Sequence, residues 1–69
     1  MPAKRLGKVI RRMREQREPK MTLRDLAEAA KVTQGYIAQL EMGLKKNPSL
    51  AVLKRIAKAL GVPVGELFK

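Results

Sequence analysis

Apolar side chains near the N-terminus recur three and four residues apart, which is the spacing of one face of an α-helix: Leu6, Val9, Ile10 and Met13. This stripe predicts a first helix over about Lys4–Arg17. Pro19 then stops the helix, because proline has no amide hydrogen to donate and restricts the residue before it.

A second, shorter stripe follows Thr22 and comprises Leu23, Leu26, Ala27 and Ala30. Thr22 can cap this helix, and Asp25 stands three residues later, as in a capping box with Asp in place of Glu. We expect a second helix over about Leu23–Ala30. The small side chain of Ala27 on its inner face would let the next helix cross closely and at a steep angle, although an alanine is also an ordinary helix former.

Three further helices are predicted in the rest of the chain. Thr33 opens a third helix, Ile37 and Leu40 form its apolar side, and Gly43 ends it. After a loop over Leu44–Pro48, Ser49 can cap a fourth helix, with a stripe that comprises Leu50, Leu53, Ile56, Ala57 and Leu60 before Gly61. Pro63 suits the first turn of a short last helix that ends near Phe68.

The pattern therefore predicts an all-α protein in which residues 1–69 form a single domain. No segment alternates apolar and polar residues as a strand does. With one tyrosine, one phenylalanine and no tryptophan, the core has to be built from aliphatic side chains. A chain of 69 residues is close to the lower limit for folding alone, so association with partners or copies would help.

Composition excludes several classes of site. The chain has no cysteine and no histidine, which removes disulfides, the usual zinc ligand sets and the usual neutral-pH general base. We therefore expect no metal, no cofactor, no small-molecule ligand and no enzymatic activity. No apolar run approaches the roughly 18 residues of a membrane span, which favours a cytoplasmic protein without a membrane partner.

Basic residues are concentrated at both ends of the chain, which has a net charge of +10. Residues 1–20 carry eight Lys/Arg against two Glu, and residues 45–69 carry six against one, whereas residues 21–44 carry two against three acids. Such a charge favours polyanions, chiefly nucleic acid and then acidic membrane surfaces. Four of the cations are expected to be solvated surface charges: Lys54, Arg55, Lys58 and Lys69.

The segment TLRDLAEAAKVTQGYIAQLEMG, followed by NPSLAVLKRIAKALGVPVGELF, resembles the Cro/cI-type phage-repressor family of helix-turn-helix proteins, also called the xenobiotic-response-element family. The matching residues extend over most of the chain and include Leu26-Ala27, Val32-Thr33, Ile37, Leu40-Glu41, Gly43, Asn47-Pro48-Ser49-Leu50, Gly61-Val62 and Leu67-Phe68. This resemblance implies a compact five-helix, lambda-repressor-like DNA-binding domain. The helix-turn-helix would be formed by the second and third helices, with a recognition helix over about residues 33–42 in the DNA major groove.

The resemblance assigns base reading to the third helix at Gln34, Gly35 and Gln39, and a helical wheel adds Ala38 to the same outward face. A glutamine amide can match the paired donor and acceptor of adenine, and Ala38 could contact a thymine methyl group. Gly35 removes side-chain bulk where a base edge comes close. The alternative is that the two glutamines are merely neutral solubilising residues.

Other residues are assigned to the DNA backbone or to support of the recognition helix. The backbone set combines residues beside that helix, the basic loop and the first helix: Lys31, Thr33, Tyr36, Lys45, Lys46, Asn47, Ser49 and Arg12. Family resemblance also pairs Glu41 with Arg14 as a structural ion pair. This chain departs from the family pattern at Leu23, where a glutamine is frequent, at Lys31, where a glycine is common, and at Met42, where a polar or basic residue is common.

The leading interpretation is a sequence-specific transcriptional regulator that binds double-stranded DNA as a homodimer on a pseudo-palindromic operator. The resemblance places the dimer contact at Val62, Val64, Leu67 and Phe68; the alternative is that the same residues only close the monomer core. One alternative is a protein-binding adaptor or antitoxin-like module with secondary nucleic-acid binding. Another is a membrane-active amphipathic helix at Lys4–Arg17.

Overall fold

Four α-helices and a terminal 3₁₀ helix make up the computed structural model, which describes residues 3–45 and 47–69. The α-helices are α1 (Ala3–Glu15), α2 (Leu23–Ala30), α3 (Gln34–Glu41) and α4 (Leu50–Leu60), and the 3₁₀ helix covers Val64–Phe68. No strand occurs within these described ranges. The all-helical prediction is therefore confirmed.

The predicted count of five α-helices was not matched, because the last element is a 3₁₀ helix. This segment has five residues and no side-chain hydrogen bond at its N-terminal cap. So short a segment can form only a turn or so of i→i+4 bonding, which favours the tighter 3₁₀ geometry. The amide of Glu66 donates to the carbonyl of Pro63 at 3.0 Å, as that geometry requires.

Helix α1 ends at Glu15, two residues earlier than the pattern predicts. Beyond it the chain turns back, and the amide of Met21 donates to the carbonyl of Arg14 at 3.2 Å. The guanidinium of Arg17, which lies beyond the end of α1, donates to the carbonyl of Ala59 on α4 at 3.2 Å. The turn after α1 thus bonds back to α1 itself and to α4.

Hydroxyl side chains begin the other three α-helices, as predicted. Thr22 and Asp25 form a complete capping box, in which each side chain accepts from the other residue's amide at 3.0 Å. Thr33 and Ser49 each accept from the amide three residues later, at 3.0 and 3.1 Å. Because such caps satisfy helix amides that have no partner within the helix, they fix where α2, α3 and α4 start.

The core is aliphatic and lies where the helices meet. Helix α2 packs against α3 and α4, α1 packs against α3, and the 3₁₀ helix packs against α4 and α1. Among the described residues, no polar or charged residue is buried as a whole, although the side chains of Arg14 and Glu41 are only 11% and 7% exposed. The buried hydrophobic residues are Leu6, Val9, Ile10, Leu26, Ala27, Ala30, Ile37, Leu40, Leu53, Ile56, Ala57, Leu60 and Leu67.

A glycine on α1 allows a close approach to the end of α3. Gly7 is buried, and a Cβ atom added there would overlap the carbonyl oxygen of Leu40 and lie 2.6 Å from that of Glu41. Any larger residue would push the two helices apart. The position of α3 relative to α1 therefore depends on Gly7, which the apolar pattern did not identify.

Two further observations concern a membrane-spanning helix and a metal-binding cluster. No α-helix within the described part of the chain is both long enough and apolar enough to cross a bilayer. Among those same residues, no three acidic side chains come together as they would around a metal ion.

Candidate nucleic-acid interface

Helices α2 and α3 are joined by a tight turn of three residues, Lys31–Thr33. Lys31 adopts the left-handed conformation, with φ 59° and ψ 42°. The amide of Lys31 donates to the carbonyl of Glu28 at 3.3 Å and that of Val32 to the carbonyl of Ala27 at 3.0 Å. The turn thus satisfies two carbonyls at the end of α2 while it redirects the chain, and Ala27 is only 3% exposed.

Helix α3 has a buried face and an open face. Ile37 and Leu40 are 0% and 1% exposed, so they hold the helix against the core. On the other side, Gln34, Gly35 and Gln39 are exposed and Ala38 is half-buried. The four predicted base-reading residues therefore lie together on accessible parts of one short helix, without a charged side chain among them.

Gly35 leaves a gap in this open face. A Cβ atom built on Gly35 would find no heavy atom within 4 Å, apart from its neighbours along the helix. The backbone of α3 is therefore accessible between Gln34 and Gln39. A flat molecular surface could approach the helix more closely here than at a residue with a side chain.

An ion pair joins α1 to the last residue of α3. Arg14 donates to the Glu41 carboxylate through Nε at 2.8 Å and Nη2 at 3.0 Å, and through Nη1 to the carbonyl of Met21 at 2.9 Å. The two side chains are only 11% and 7% exposed. The hydrogen bonds that Arg14 donates to the Glu41 carboxylate raise the pKa of Arg14 above its ordinary value, so the guanidinium stays charged.

Among the predicted backbone contacts, Lys45 and Tyr36 come together. The Lys45 ammonium lies 5.1 Å from the centre of the Tyr36 ring, within the range of a cation–π contact. Both residues are partly exposed beside α3. This contact places one cation of the basic loop next to the candidate base-reading helix.

The other predicted backbone residues lie at separate points of the surface. Lys31 is exposed in the turn before α3, Asn47 is exposed before α4, and Arg12 is exposed on α1. The hydroxyl groups of Thr33 and Ser49 are already used as helix caps, so each would offer DNA its remaining hydrogen-bonding capacity. Lys46 lies outside the described residues.

The expectation that Arg55 is a solvated surface charge was wrong. Its guanidinium is half-buried and donates to the carbonyl of Ala30 at 2.9 Å. That carbonyl belongs to the last turn of α2, where a cation is favoured by the helix dipole. Arg55 thus ties α4 to the residue before Lys31. No periodicity in the sequence signals this bond, because it depends on how α4 packs on α2.

The four residues considered for a dimer contact separate into two groups. Leu67 is 0% exposed, so in this chain it closes the monomer core and has no surface for a partner. Phe68 is 44% exposed, and Val62 and Val64 are half-buried. The accessible part of this terminal surface is therefore formed by Val62, Val64 and Phe68.

Comparison with known proteins agrees with this arrangement. The helix-turn-helix family model matches residues 10–67. An uncharacterized HTH-type transcriptional regulator of Mycobacterium tuberculosis is 44% identical over 62 residues, which are 90% of this chain and 42% of the relative. The chain spans 40–55% of the length of the similar regulators SlrR and SinR of Bacillus subtilis.

Solved structures are similar over nearly the whole chain. The restriction–modification controller protein C.AhdI from Aeromonas hydrophila superposes with a TM-score of 0.87 at 26% identity, covering 96% of both chains. The biofilm master regulator SinR in complex with DNA superposes with a TM-score of 0.83 at 33% identity, covering 93% of this chain and 98% of that one. By its sequence, its fold and the arrangement of α2 and α3, the chain belongs to the Cro/cI-type helix-turn-helix family.

Proposed function

We propose that this chain is a sequence-specific regulator of transcription that binds double-stranded DNA and acts in the cytoplasm. The observation that carries the proposal is the open face of α3, where neutral Gln34, Gly35 and Gln39 are accessible. Relatives named as transcriptional regulators, and SinR as a complex with DNA, support it. No step of this function requires a catalytic group.

Base reading is assigned to the open face of α3, lying in the major groove. The amides of Gln34 and Gln39 can each donate and accept, which matches the N6 and N7 pattern of adenine. Gly35 lets the helix approach the base edges closely, because nothing lies above its backbone. The reading face is short of polar groups, so we infer modest specificity from each half-site.

Affinity comes from phosphate contacts around this helix. Lys31 precedes α3, and Lys45 lies over Tyr36. Helix α4 has eleven residues and begins just after Ser49, so its N-terminus offers amide groups and a favourable dipole for a phosphate. Arg12, Lys46 and Asn47 complete the proposed set. Each phosphate that is neutralised should add about 0.9 to the slope of log K against log salt.

The Arg14–Glu41 pair is proposed to hold α3 in the orientation that reading requires. It acts at the C-terminal end of α3, while Ile37 and Leu40 fix the buried side. A recognition helix held at both its buried face and its end loses less conformational freedom when it binds.

A homodimer would place two copies of α3 on one face of the duplex. Dimeric helix-turn-helix proteins bind half-sites about 34–36 Å apart, one helical turn of DNA. The surface at Val62, Val64 and Phe68 is the proposed contact, since Phe68 remains 44% exposed. The operator would then be pseudo-palindromic.

Selection of binding sites from random duplex DNA, followed by salt titration, tests the proposal. We expect a two-fold symmetric motif, and loss of the preference for that motif in a Gln39→Ala variant. Lys54→Ala, at an exposed position on α4, is the matched control and should retain the motif. Equal affinity for every duplex would contradict sequence-specific reading and would favour a protein-binding adaptor.

A further inference from the structure

A shallow depression lies beside the open face of α3, between α1 and the start of α2. Its lining residues come from all three helices and the C-terminal cap of α3: Arg11, Arg14, Leu23, Ala38, Glu41 and Met42. Two of these residues, Arg14 and Glu41, are already paired with each other. Of the other four lining residues, Arg11 is charged and exposed, and three are apolar: Leu23, Ala38 and Met42, which we call the apolar wall.

The apolar wall borders the proposed base-reading residues. Ala38 and Met42 are four residues apart, and the amide of Met42 donates to the carbonyl of Ala38 at 3.1 Å, so they lie one above the other. Ala38 directly precedes Gln39 in α3. A surface that meets a base at Gln39 would therefore also meet this wall.

Met42 is one of four large hydrophobic residues that are exposed in the described part of the chain. It is 60% exposed, whereas Leu23 and Ala38 are half-buried. An unbranched thioether can adjust its shape to a small apolar group. The hydrophobic core does not account for this exposure, so the side chain is available to a ligand.

The major-groove edge of DNA carries one apolar group, the C5-methyl group of thymine. We propose that Leu23, Ala38 and Met42 form a contact surface for a thymine methyl group, which makes thymine the preferred base beside the one read by Gln39. This inference rests on the proposed function, and it deepens that function by naming the bases that the site selects. The two amides read adenine by hydrogen bonds, and the apolar wall reads thymine by exclusion of water.

The size of the effect follows from the area of one methyl group. The free energy gained by burying one methyl or methylene group changes a dissociation constant about fourfold. Replacing thymine by deoxyuridine removes this methyl group and leaves the hydrogen-bonding edge intact. The substitution therefore isolates the proposed contact from the amide contacts.

The test uses the duplex obtained by site selection, with thymines replaced by deoxyuridine one position at a time. We expect about fourfold weaker binding at one position or more in each half-site, and no change at thymines outside the motif. Unchanged binding for every substituted duplex would overturn the inference while leaving the proposed function intact. Failure to select any motif would instead contradict the proposed function.

Protein variants link the methyl group to the wall. In Met42→Ala the penalty for deoxyuridine should fall, because less apolar surface faces the methyl group. Leu44→Ala is the matched control, since Leu44 is 64% exposed, close to Met42 in the chain and outside the wall; it should keep the full penalty. Both positions are exposed, so thermal melting should find both variants folded. An equal penalty in Met42→Ala and the unaltered protein would overturn the inference.

Discussion

Arg14 and Glu41 form a two-pronged ion pair across 27 residues of sequence, with Nε–Oε2 and Nη2–Oε1 distances of 2.8 and 3.0 Å. The pair connects the last turn of α1 to the last residue of α3. About two turns earlier on α1, Gly7 brings the backbone against the carbonyls of Leu40 and Glu41. A charge pair and a close helix approach thus fix the same end of the candidate recognition helix.

Replacing Glu41 by alanine should lower stability markedly. The Arg14 guanidinium would keep its bond to the Met21 carbonyl but lose both bonds to the carboxylate while it is only 11% exposed. Loss of charged hydrogen bonds at such a site costs about 2–3 kcal/mol, or a fall of roughly 10–20 °C in Tm for a domain of this size. Thermal unfolding, monitored by circular dichroism, measures this fall in Tm.

The control for this variant is Glu28→Ala, which removes an exposed ion pair. Arg24 and Glu28 are 77% and 68% exposed, so their pair should contribute no more than about 0.5 kcal/mol. If Glu41→Ala melts at the same temperature as Glu28→Ala, the ion pair of Arg14 has no role in holding α3.

Glycine-to-alanine changes at Gly7 and Gly35 should have opposite effects on stability. Alanine at Gly7 would overlap the end of α3, and overpacking of this kind costs about 1–3 kcal/mol. Alanine at Gly35 meets open space and should stabilise α3 by about 0.5–1 kcal/mol. Urea unfolding measures the change in the free energy of unfolding for each variant. A Gly7→Ala variant as stable as the unaltered protein would show that α1 and α3 can separate at little cost in free energy.

Gly7 also illustrates which features the sequence can predict. The caps at Thr22, Thr33 and Ser49 were predictable, because each bond joins residues three apart. The apolar stripes likewise identified most of the core from their local spacing, but the prediction was wrong for Leu50, which begins α4 and is 55% exposed. Gly7 looks like any tolerated helix glycine, since its contact with Leu40 exists only after α1 and α3 pack together.

The candidate site was predictable to a similar extent. Its exposed amides on α3 followed from helical periodicity and the family resemblance. The bond from Arg55 to the Ala30 carbonyl could not be predicted, because the sequence does not indicate which carbonyl a helical arginine will contact. The apolar wall joins Leu23 to Ala38 and Met42 across two helices, and only the packing of α2 against α3 brings them together.

Lys31→Gly should separate the backbone strain at Lys31 from the contribution of its charge to DNA binding. Lysine at φ 59° carries roughly 1–2 kcal/mol of strain, which glycine relieves, although glycine also loses more entropy on folding. The variant should therefore melt at the same temperature or slightly higher. If Lys31 neutralises a phosphate, the salt slope of DNA binding should fall by about 0.9. An unchanged slope would remove Lys31 from the phosphate contacts.

Acid should weaken the capping box at the start of α2. The Thr22 amide, which donates to the carboxylate, and then the Thr22 hydroxyl lower the pKa of Asp25 below its ordinary value of 3.8. The folded state therefore binds this proton less readily than the unfolded state. The stabilisation is complete above the unfolded pKa and is lost as pH falls through the lower folded value. The stability difference between the protein and Asp25→Ala should shrink below pH 3.8. A difference independent of pH would contradict it.

Phe68 and Leu67 are neighbours that should respond differently to truncation. Phe68 is 44% exposed, so Phe68→Ala should leave the fold largely intact and should convert a dimer to monomers in sedimentation experiments. On DNA the Phe68→Ala variant should lose cooperative binding to the full palindrome while affinity for one half-site is retained.

Leu67 is fully buried, and Leu67→Ala should cost about 2–5 kcal/mol of folding free energy instead. Leu44→Ala, an exposed leucine beside α3, should not alter association. A Phe68→Ala protein that remains dimeric would move the contact away from the terminal surface of Val62, Val64 and Phe68.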